Sequence, residues 1–490
     1  MYIAEESDSG IVPMNHSNKD EEQVTESGEG RPLIKENMRQ LNMYPTQSGG
    51  SMSQGLERVR QAARENKQLQ FTALLHHLTV DLLRESFYRM KKEAAPGVDG
   101  VTWTEYETGL KGRLIDLHGR VHRGAYRAQP SRRVYIPKAD GRQRPLGVAA
   151  LEEKLVQRAV TTILQQIYEE DFLGFSYGFR PGRNPHQALD ALSVALTQKK
   201  VNYVLDADIR GFFDHLDHEW MMKFVQHRVA DPRMLRLIQK WLKAGVMEEE
   251  QWSETEEGTP QGSGISPLLG NIYLHYVFDL WVEVWRRKSA HGDVIVVRYA
   301  DDSVLGFQYQ EEADRFLREF RERLGKFGLE LHPEKTRRIE FGRFAGSNRK
   351  RKGKGKPETF DFLGFTHISG RTSQGHFTVR RKTMAKRLRA KLQALKRKLA
   401  ERRHDPVPDT GKWLKSVMQG YFNFHAVPGN LDRLEVFRER LSRYWHHQLL
   451  RRSQQHRLSW ERMHRLLERW LPRPRQLHPL PAIRFAVRYP

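Results

Sequence analysis

The amino-acid sequence predicts an α+β protein, in which short strands are interspersed with longer helices. The first observation is a set of short apolar segments bounded by turn residues, which are typical of strands. The second is a set of longer segments whose apolar side chains recur every three or four residues, which are typical of helices. The third is the basic region 380–450, where the helical pattern continues. The predicted strands are 133–137, 145–148, 203–209 and 293–307, and the predicted helices include 150–170, 312–327 and a long helix after Met384.

Composition narrows the class of protein before any motif is considered. The chain has 490 residues, enough for two to four domains, and a net charge of +23 from 83 basic and 60 acidic side chains. Such a surplus attracts polyanions, of which nucleic acid is the commonest in a cytoplasm. No apolar run is long enough to span a membrane, so no membrane partner is expected. The absence of cysteine and of a secretory signal favours a cytoplasmic location.

Residues 1–55 are expected to form a disordered acidic and polar extension. The first 30 residues contain eight acidic side chains and one lysine, with few large apolar ones, so they cannot bury enough surface to offset the entropy of ordering. Helical periodicity follows, with leucines at three- and four-residue steps from Leu74 to Leu83. A turn-rich segment, 95–100, ends this region. The loop 138–142 then joins the first two predicted strands as a hairpin.

Paired carboxylates lie at the ends of two predicted strands. The segment 294–307 has two apolar runs around a polar tip, which predicts a β-hairpin with Asp301 and Asp302 at its turn. Asp–Asp is also a common turn dipeptide without function; here, however, buried strand flanks it on both sides, and two carboxylates at the edge of a core repel each other and need a cation. Upstream, Asp206 and Asp208 point to the same face of a second strand.

These carboxylates suggest metal-ion chemistry. Carboxylates from two adjacent strands can hold two Mg²⁺ ions about 3.5–4 Å apart. Hard oxygen ligands suit Mg²⁺, with Mn²⁺ as a substitute, and the absence of cysteine excludes thiolate sites. The predicted metal ligands and catalytic residues are Asp208, Asp301 and Asp302.

At this point the sequence resembles a known family. Tyr-Ala-Asp-Asp at 299–302, and Asp208 followed five residues later by Phe213, resemble reverse transcriptases and, more narrowly, the reverse transcriptase–maturases encoded by bacterial group II introns. Further segments agree in order across roughly residues 70–470. They are PGVDG (96–100), YIPK (135–138), RPLG (144–147), SYGFRP (176–181), GTPQGSGISP (258–267), LHPEKT (331–336) and FLGF (362–365).

The resemblance implies a right-hand polymerase fold. N-terminal helices and fingers would span 56–200, and a palm with a small antiparallel sheet would span 201–370. The palm would carry a flexible basic loop at 343–357. Thumb and maturase-like helices with a basic tail would span 371–490.

The resemblance also implies roles for individual residues near the nucleotide. Lys138 and Arg144 would bind the triphosphate and stabilise developing charge; the alternative is an ordinary exposed basic hairpin. Phe213 would be the steric gate that excludes a ribose 2′-hydroxyl, or else a core phenylalanine. Gln261, in a glycine-rich turn, would border the nucleotide and template. Lys335 would contact phosphate or protonate the pyrophosphate leaving group.

Other residues are predicted to contact nucleic acid. Arg180 would contact the template or serve a structural role. The helix after Met384 has one apolar stripe, whereas the charges on its other faces are almost exclusively positive, which favours a phosphate backbone as partner. Aromatic side chains at helical spacing in 380–450 are expected to belong to the core. The cations singled out on the helix are Lys386, Arg387, Lys391 and Arg397.

The predicted function is RNA-directed DNA polymerisation, with intron RNA binding, splicing and mobility as further roles. The partners would be a structured RNA, an RNA template and a DNA primer or target, and the protein would associate with the nucleoid when it acts on DNA. The chain lacks the paired cysteines of the zinc-containing endonuclease domain that many relatives carry, so no endonuclease is assigned. The alternatives are a host-recruited defence or repair reverse transcriptase, an RNA-binding splicing cofactor without activity, and an RNA-templated RNA polymerase, which the bulky Phe213 disfavours.

Overall fold

The computed structural model describes residues 50–137, 143–248, 251–253, 258–259, 263–452 and 458–483. Most of the predicted N-terminal extension therefore lies outside the described residues. The first helix, α1, begins at Gly50, inside the segment that was expected to be disordered, and continues to Glu65.

Helices surround a long buried helix in the N-terminal part of the structure. They are α1 (Gly50–Glu65), α2 (Val80–Tyr88), α3 (Trp103–Glu107), α4 (Leu110–His122) and the long helix α5 (Leu151–Asp171). Apolar residues of α5 without exposed surface include Leu155, Val156, Ile163, Leu164 and Ile167. Because a helix that is buried on several faces can sit only inside a core, α5 forms the centre of this part.

The spacing of the leucines between Leu74 and Leu83 predicted one continuous helix, but the structure does not contain it. A short 3₁₀-helix spans Leu75–His77, and α2 starts only after Thr79. The Thr79 side chain accepts a hydrogen bond from the backbone amide of Leu82 and caps the helix. A local capping bond therefore overrides the longer periodicity.

The predicted hairpin is present as β1 (Ser131–Pro137) and β2 (Gln143–Val148). These strands are antiparallel, and Ile136 lies opposite Arg144. β1 also pairs with β4 (Val246–Glu248), which pairs with β5 (Gln251–Ser253). Between the two hairpins along the chain lie α6 (Pro185–Gln198), β3 (Tyr203–Asp208), α7 (His218–Gln226) and α8 (Pro232–Lys243).

A four-stranded antiparallel sheet occupies the middle of the molecule. Its order is β6-β7-β3-β8, with β6 at Val294–Tyr299, β7 at Asp302–Phe307 and β8 at Arg337–Glu340. The predicted strands at 203–209 and 293–307 are thus confirmed, the second as a hairpin. Their valines and leucines are buried because α6 packs on β6, and α11 (Gln310–Gly325) packs on β3 and β7. The antiparallel sheet predicted for this region is confirmed.

A helix beneath this sheet contains a wider turn. It begins as α9 (Ser266–Leu274), passes through a π-helical turn (His275–Asp279) and continues as α10 (Leu280–Lys288). All residues of the π-helical turn are buried.

Beyond the central sheet, the expected flexible basic loop is partly helical, so that prediction was wrong in part. Residues Ala345–Arg351 form the short helix α12. A three-stranded sheet follows, with the order β11-β10-β9, formed by β9 (Thr359–Phe362), β10 (Phe365–Arg371) and β11 (Phe377–Thr383). The turn between β9 and β10 has a positive φ at both Leu363 and Gly364, as a tight hairpin turn requires.

Four helices with a core of their own complete the described chain. They are α13 (Ala385–Glu401), α14 (Val407–His425), α15 (Leu431–Leu450) and α16 (Trp460–Trp470). The predicted apolar stripe on α13 is buried in this core at Leu388, Leu392, Leu395 and Leu399. Among the described residues, no helix combines the length and apolar character that crossing a membrane requires.

Candidate active site

Three of the predicted carboxylate residues lie at one end of the central sheet. In the β3–β7 pair, Asp208 lies directly opposite Asp302. Asp301 immediately precedes Asp302 in the turn between β6 and β7. The antiparallel register therefore brings the end of one acidic strand to the start of the other, as the two motifs had suggested.

The carboxylates at this sheet end repel each other when ionised. Partial removal from water, together with the neighbouring charges of Asp301 and Asp208, raises the pKa of Asp302 to about 6. Burial raises the pKa of Asp206 to about 7, although Arg337 opposes the shift, and Asp302 and Asp208 add to it. A cation placed among these groups would relieve the repulsion.

The carboxylate oxygens of Asp208, Asp301 and Asp302 are suitable ligands for a hard divalent metal ion, but the side chains are not arranged around a common metal position. Within the ranges that the structure describes, no group of three or more histidine, aspartate or glutamate side chains is placed so as to hold a metal ion. Asp208 Oδ2 instead accepts a hydrogen bond of 2.6 Å from Lys335 Nζ. Asp208 would have to exchange Lys335 for the ion, which a side-chain rotation can achieve.

Lys335 is brought to Asp208 by the segment that precedes β8. The backbone amide of His332 donates to the carbonyl of Asp208 at 2.8 Å, and Ile209 and Leu331 form an isolated β-bridge. The ammonium group predicted to contact phosphate therefore lies beside a carboxylate of the site.

Phe213 lies just after β3 in a short 3₁₀-helix that begins after Gly211. Its ring is half-buried and faces Gly270 of α9, where an added Cβ would come within 3.1 Å of the ring. Its neighbour Phe212 is buried in the core. Of the two rings, only that of Phe213 is partly exposed, and its role as a steric gate remains a prediction.

The glycine-rich turn that contains Gln261 is anchored at both ends, although Gln261 itself lies outside the described residues. The amide of Thr259 donates to the carbonyl of Phe213 at 2.8 Å. Beyond the turn, the Ser263 hydroxyl donates to Gln157 Oε1 at 2.8 Å. The described residues on either side of Gln261 therefore contact the carbonyl of Phe213 and the side chain of Gln157.

The hairpin predicted to bind the triphosphate is present, but its tip is not among the described residues. Lys138 lies in the gap between β1 and β2. The backbone of Arg144 belongs to β2 opposite Ile136. The roles assigned to Lys138 and Arg144 thus remain predictions.

Arg180 serves the interior of the protein, which corrects its assignment as a nucleic-acid contact. Its side chain is 4% exposed and forms an ion pair with Glu169 at 3.0 Å. Its guanidinium also donates to the carbonyls of Leu173 and Ser176, at 2.8 Å each. Because its N–H donors point inward, Arg180 fixes the loop that follows α5. This is the structural role that the sequence analysis gave as the alternative.

The cations predicted on α13 all face outward. Lys386, Arg387, Lys391 and Arg397 are exposed, whereas the leucines of the same helix are buried. Arg387 lies nearest the carboxylates: its positive charge acts on Asp302, and its guanidinium borders the β9–β10 turn at Gly364. The cationic face therefore begins close to the candidate active site.

Comparison with known proteins identifies the family. The sequence pattern of the family described as "Reverse transcriptase (RNA-dependent DNA polymerase)" matches residues 136–367. "Protein YkfC" of Escherichia coli (strain K12) is 38% identical over 277 residues, which cover 49% of this chain and 71% of that protein. "Group II intron-encoded protein LtrA" of Lactococcus lactis subsp. cremoris is 35% identical over 222 residues, which cover 45% of this chain and 37% of that protein. The chain belongs to the reverse transcriptase family.

The prediction of a reverse transcriptase, an RNA-directed DNA polymerase with a right-hand polymerase fold, is thus confirmed. A further relative of this reverse transcriptase is the "Uncharacterized 91 kDa protein in cob intron" of Schizosaccharomyces pombe, 32% identical over 246 residues, which cover 48% of this chain and 30% of that protein. The chain spans about a third of the length of these two intron-encoded relatives.

Sequence reasoning missed two residues of this reverse transcriptase that the structure brings to the site. Arg298 is a buried arginine within the apolar strand β6. Phe179 is an exposed aromatic residue with a φ of 57°, and its ring lies 6.4 Å from that of Tyr299. The signal for Arg298 was present in the sequence, since a charge that follows a run of valine and isoleucine residues needs a buried partner.

Proposed function

We propose that the chain copies RNA into DNA at the sheet end formed by Asp208, Asp301 and Asp302, and that these residues hold two divalent metal ions. The observation that carries the proposal is the register of the two strands, with Asp208 opposite Asp302 and Asp301 beside them. Mg²⁺ bound there would lower the pKa of the primer 3′-hydroxyl and offset charge on the triphosphate. The raised pKa of Asp302, at about 6, supports a site that favours a cation.

The proposed fingers, palm and thumb of the right-hand fold keep the boundaries that the sequence motifs predicted. The fingers would comprise 56–200, the palm 201–370 and the thumb with its maturase-like helices 371–490. The separate core of α13–α16 supports a C-terminal unit, and the central antiparallel sheet supports the palm.

Lys138 and Arg144 would bind the incoming triphosphate from the fingers. The antiparallel pairing of β1 and β2 supports this, because Pro137, the residue before Lys138, lies opposite Gln143, the residue before Arg144. Fixed cations at that position would stabilise the charge that develops as the phosphorus–oxygen bond breaks. Lys335 would contribute a further positive charge beside Asp208.

Phe213 and Gln261 would form the side of the pocket that receives the sugar and the base. The hydrogen bond from Thr259 to Phe213 supports their proximity, since Gln261 follows Thr259 by two residues. A ring fixed against Gly270 cannot retreat to admit a 2′-hydroxyl. The pocket would therefore select deoxynucleotides.

The C-terminal helices would hold structured RNA, and a group II intron would be its source. The support is electrostatic, because the outward face of α13 carries cations while its inward face is apolar. Contacts of this kind would bind phosphates and recognise the shape of a folded RNA rather than its base edges. Two of the compared relatives are named as intron proteins, which favours an intron as the source of that RNA.

Primer extension with purified protein tests this proposal. A DNA primer annealed to an RNA template should be extended with deoxynucleotides in Mg²⁺. Extension should stop with a chelator, and Mn²⁺ should restore it. A protein that binds the primer–template but does not extend it in either metal would instead be an RNA-binding cofactor without polymerase activity.

A further inference from the structure

A buried arginine lies next to the turn that carries the acidic residues. Arg298 is in β6, one residue before Tyr299, and its side chain is 1% exposed. Burying a charged group among apolar residues costs several kcal/mol unless the charge is paired and hydrogen-bonded. Its presence in this strand therefore needs a structural or functional reason.

Every donor of the Arg298 guanidinium is satisfied. Nε and Nη2 donate to the two carboxylate oxygens of Asp279, at 2.7 and 2.6 Å. Nη1 donates to Asn271 Oδ1 at 3.0 Å and to the carbonyl of Ala300 at 2.9 Å. Nη2 also donates to the Ser176 hydroxyl at 2.7 Å. An arginine has five N–H groups, so this arrangement uses all of them.

The π-helical turn His275–Asp279 explains how one helix supplies two of these partners. In a regular α-helix, residues eight positions apart, such as Asn271 and Asp279, would be separated by about 80° around the axis. A turn with i→i+5 hydrogen bonds rotates less per residue. It therefore brings both side chains to the face that meets Arg298. Such turns are frequent at functional sites, and this one has a definite consequence for the site.

The same arginine joins two turns that lie opposite each other. The amide of Tyr177 donates to the Arg298 carbonyl at 2.8 Å, and Asn271 Nδ2 donates to the Gly178 carbonyl at 2.7 Å. Gly178 approaches Ala300 so closely that an added Cβ would lie 2.2 Å from the Ala300 amide nitrogen.

Backbone strain is concentrated at this junction. Phe179 and Ala300, one in each turn, both have a φ of 57°. A non-glycine residue in the left-handed region costs about 1–3 kcal/mol and persists only where its surroundings enforce it. The surroundings here are the hydrogen bonds of Arg298 and Asn271.

We propose that Arg298 is the positioning residue of the active site, which locks the 176–179 turn and the Ala300–Asp302 turn into one rigid unit. This rests on the proposed function of Asp301 and Asp302 as metal ligands. Arg298 touches neither substrate nor metal; it fixes the backbone from which the two carboxylates project. Metal affinity and the rate of nucleotide transfer should therefore depend on it, whereas binding of the primer–template should not.

Arg298→Lys is the informative variant, because it keeps the buried charge opposite Asp279 and removes the planar fork. An ammonium has three donors and cannot reach Asp279, Asn271, Ser176 and Ala300 together. Ser176→Ala is the milder companion, since it deletes one of the five hydrogen bonds and no charge. Both variants leave the proposed metal ligands intact.

Arg228→Lys is the matched control for loss of stability. Arg228 is another buried arginine, paired with Asp171 at 2.9 Å and bonded to the carbonyls of Asn66 and Ala63. Its partners belong to α1, to the residue after it and to the end of α5, rather than to the turns that Arg298 joins. A stability loss from any buried Arg→Lys change should appear in both proteins.

The experiment measures five properties of each full-length variant: the melting temperature, hydrogen exchange of peptides covering 175–180 and 299–302, Mn²⁺ affinity by electron paramagnetic resonance, primer–template affinity, and single-turnover nucleotide incorporation. We expect Arg298→Lys to accelerate exchange in both peptides, to weaken Mn²⁺ binding and to slow incorporation by up to about 100-fold. Primer–template affinity should change by less than about twofold. Ser176→Ala should shift the same readouts in the same direction by less.

The positioning role would be overturned if Arg298→Lys and Arg228→Lys lost incorporation in the same proportion to their loss of melting temperature, and if hydrogen exchange at 299–302 were not faster in Arg298→Lys than in Arg228→Lys. Asp301→Asn run in parallel separates this failure from failure of the proposed function. If Asp301→Asn abolishes incorporation while Arg298→Lys does not affect it, only the positioning role is abandoned. If Asp301→Asn incorporates normally, the proposed site itself is wrong.

Discussion

Lys335 Nζ lies 2.6 Å from Asp208 Oδ2, so an ammonium group occupies the position beside this carboxylate where a metal ion would bind. The Lys335 side chain is flexible and 53% exposed, so it can move away from Asp208 without disturbing the core. We therefore propose two roles for Lys335 that experiment can separate: it would compete with the metal in the free protein, and it would bind phosphate once nucleotide is bound.

Lys335→Ala should tighten Mg²⁺ binding in the absence of nucleotide, because the competing charge is removed. It should also slow single-turnover incorporation about 10- to 100-fold, because the variant has no ammonium group to bind phosphate or donate a proton. Mn²⁺ titration followed by rapid-quench incorporation measures both effects. Lys111→Ala, which removes an exposed lysine of α4, is the control and should change neither. Unchanged incorporation by Lys335→Ala would remove Lys335 from the nucleotide site.

Phe213→Val should admit ribonucleotides while deoxynucleotide incorporation persists. The ring is held between Phe212 and Gly270, so its removal opens space where the sugar would lie without breaking a hydrogen bond. We expect the ratio of dNTP to rNTP incorporation efficiency to fall by at least about tenfold, equivalent to about 1.4 kcal/mol. The measurement is competitive single-nucleotide extension on one RNA template. A variant that discriminates as well as the parent would show Phe213 to be a core residue only.

Neutralising the α13 face should weaken binding to a folded intron RNA and reduce its salt dependence. Each phosphate interaction removed by the substitutions should lower the slope of log K against log salt by about one. Extension on a short unstructured primer–template at saturating concentration should change much less. The residues to change to glutamine are Lys386, Lys391 and Arg397; Arg387 is left out because its charge acts on Asp302.

Two comparisons make this result specific to an intron. Replacing three exposed cations elsewhere, Arg58, Arg84 and Lys111, should leave the salt slope for intron RNA within experimental error. The parent protein should also bind the cognate intron more tightly than an unrelated RNA of equal length. Equal affinity for both RNAs would assign the positive charge to general template binding and favour the host-recruited alternative.

Much of the fold followed from periodicity, because the periodic segments are those whose side chains face a core. The hairpin around Asp301 and the apolar stripe of α13 were both found where the sequence placed them. The break in the helix at Thr79 was not predicted, because one capping bond there outweighs the continued leucine spacing. Likewise, Ala345–Arg351 is helical even though its charge favoured a loop.

The candidate site was predictable only where function resides in short motifs. Asp208 and Asp302 could be paired in advance because strand ends in one sheet come together. The partners of Arg298 could not, since Asp279, Asn271 and Ser176 are brought together by a π-helical turn and a loop that have no periodic signal. Arg180 resembled a nucleic-acid contact in sequence because the charge of an arginine does not reveal that its side chain points inward.

Asp231 should stabilise the N-terminal part of the protein through four backbone amides. Its carboxylate accepts from Leu74 and Leu75, at 2.7 and 2.9 Å, and caps α8 through Arg233 and Met234. Asp231→Asn would turn an N–H donor toward the first two amides, which we expect to cost about 2–4 kcal/mol. Denaturant unfolding at pH 7 measures this difference. Asp217→Asn, at the N-cap of α7, keeps its one acceptor bond and should cost little.

The same substitution gives a pH dependence of known sign. Burial alone would raise the pKa of Asp231, but the amides that donate to it outweigh burial and lower the pKa. A group with a lowered folded-state pKa stabilises the protein fully above its unfolded pKa and loses that contribution as the pH falls through the folded value. The stability gap between the parent and Asp231→Asn should therefore be constant near pH 7 and narrow below about pH 4. A gap that widens on acidification would contradict this account.

The most direct test of the central claim is the effect of Asp301→Asn on two quantities measured in one preparation: primer extension on an RNA template, and the dissociation constant for that primer–template. The substitution keeps the size of the side chain at the turn and removes one of the charges proposed to hold Mg²⁺. We predict that extension falls at least about 1000-fold, a loss of about 4 kcal/mol of transition-state stabilisation, while the dissociation constant changes by less than about twofold. Retention of more than a few per cent of extension activity would remove Asp301 from the metal site and contradict the account.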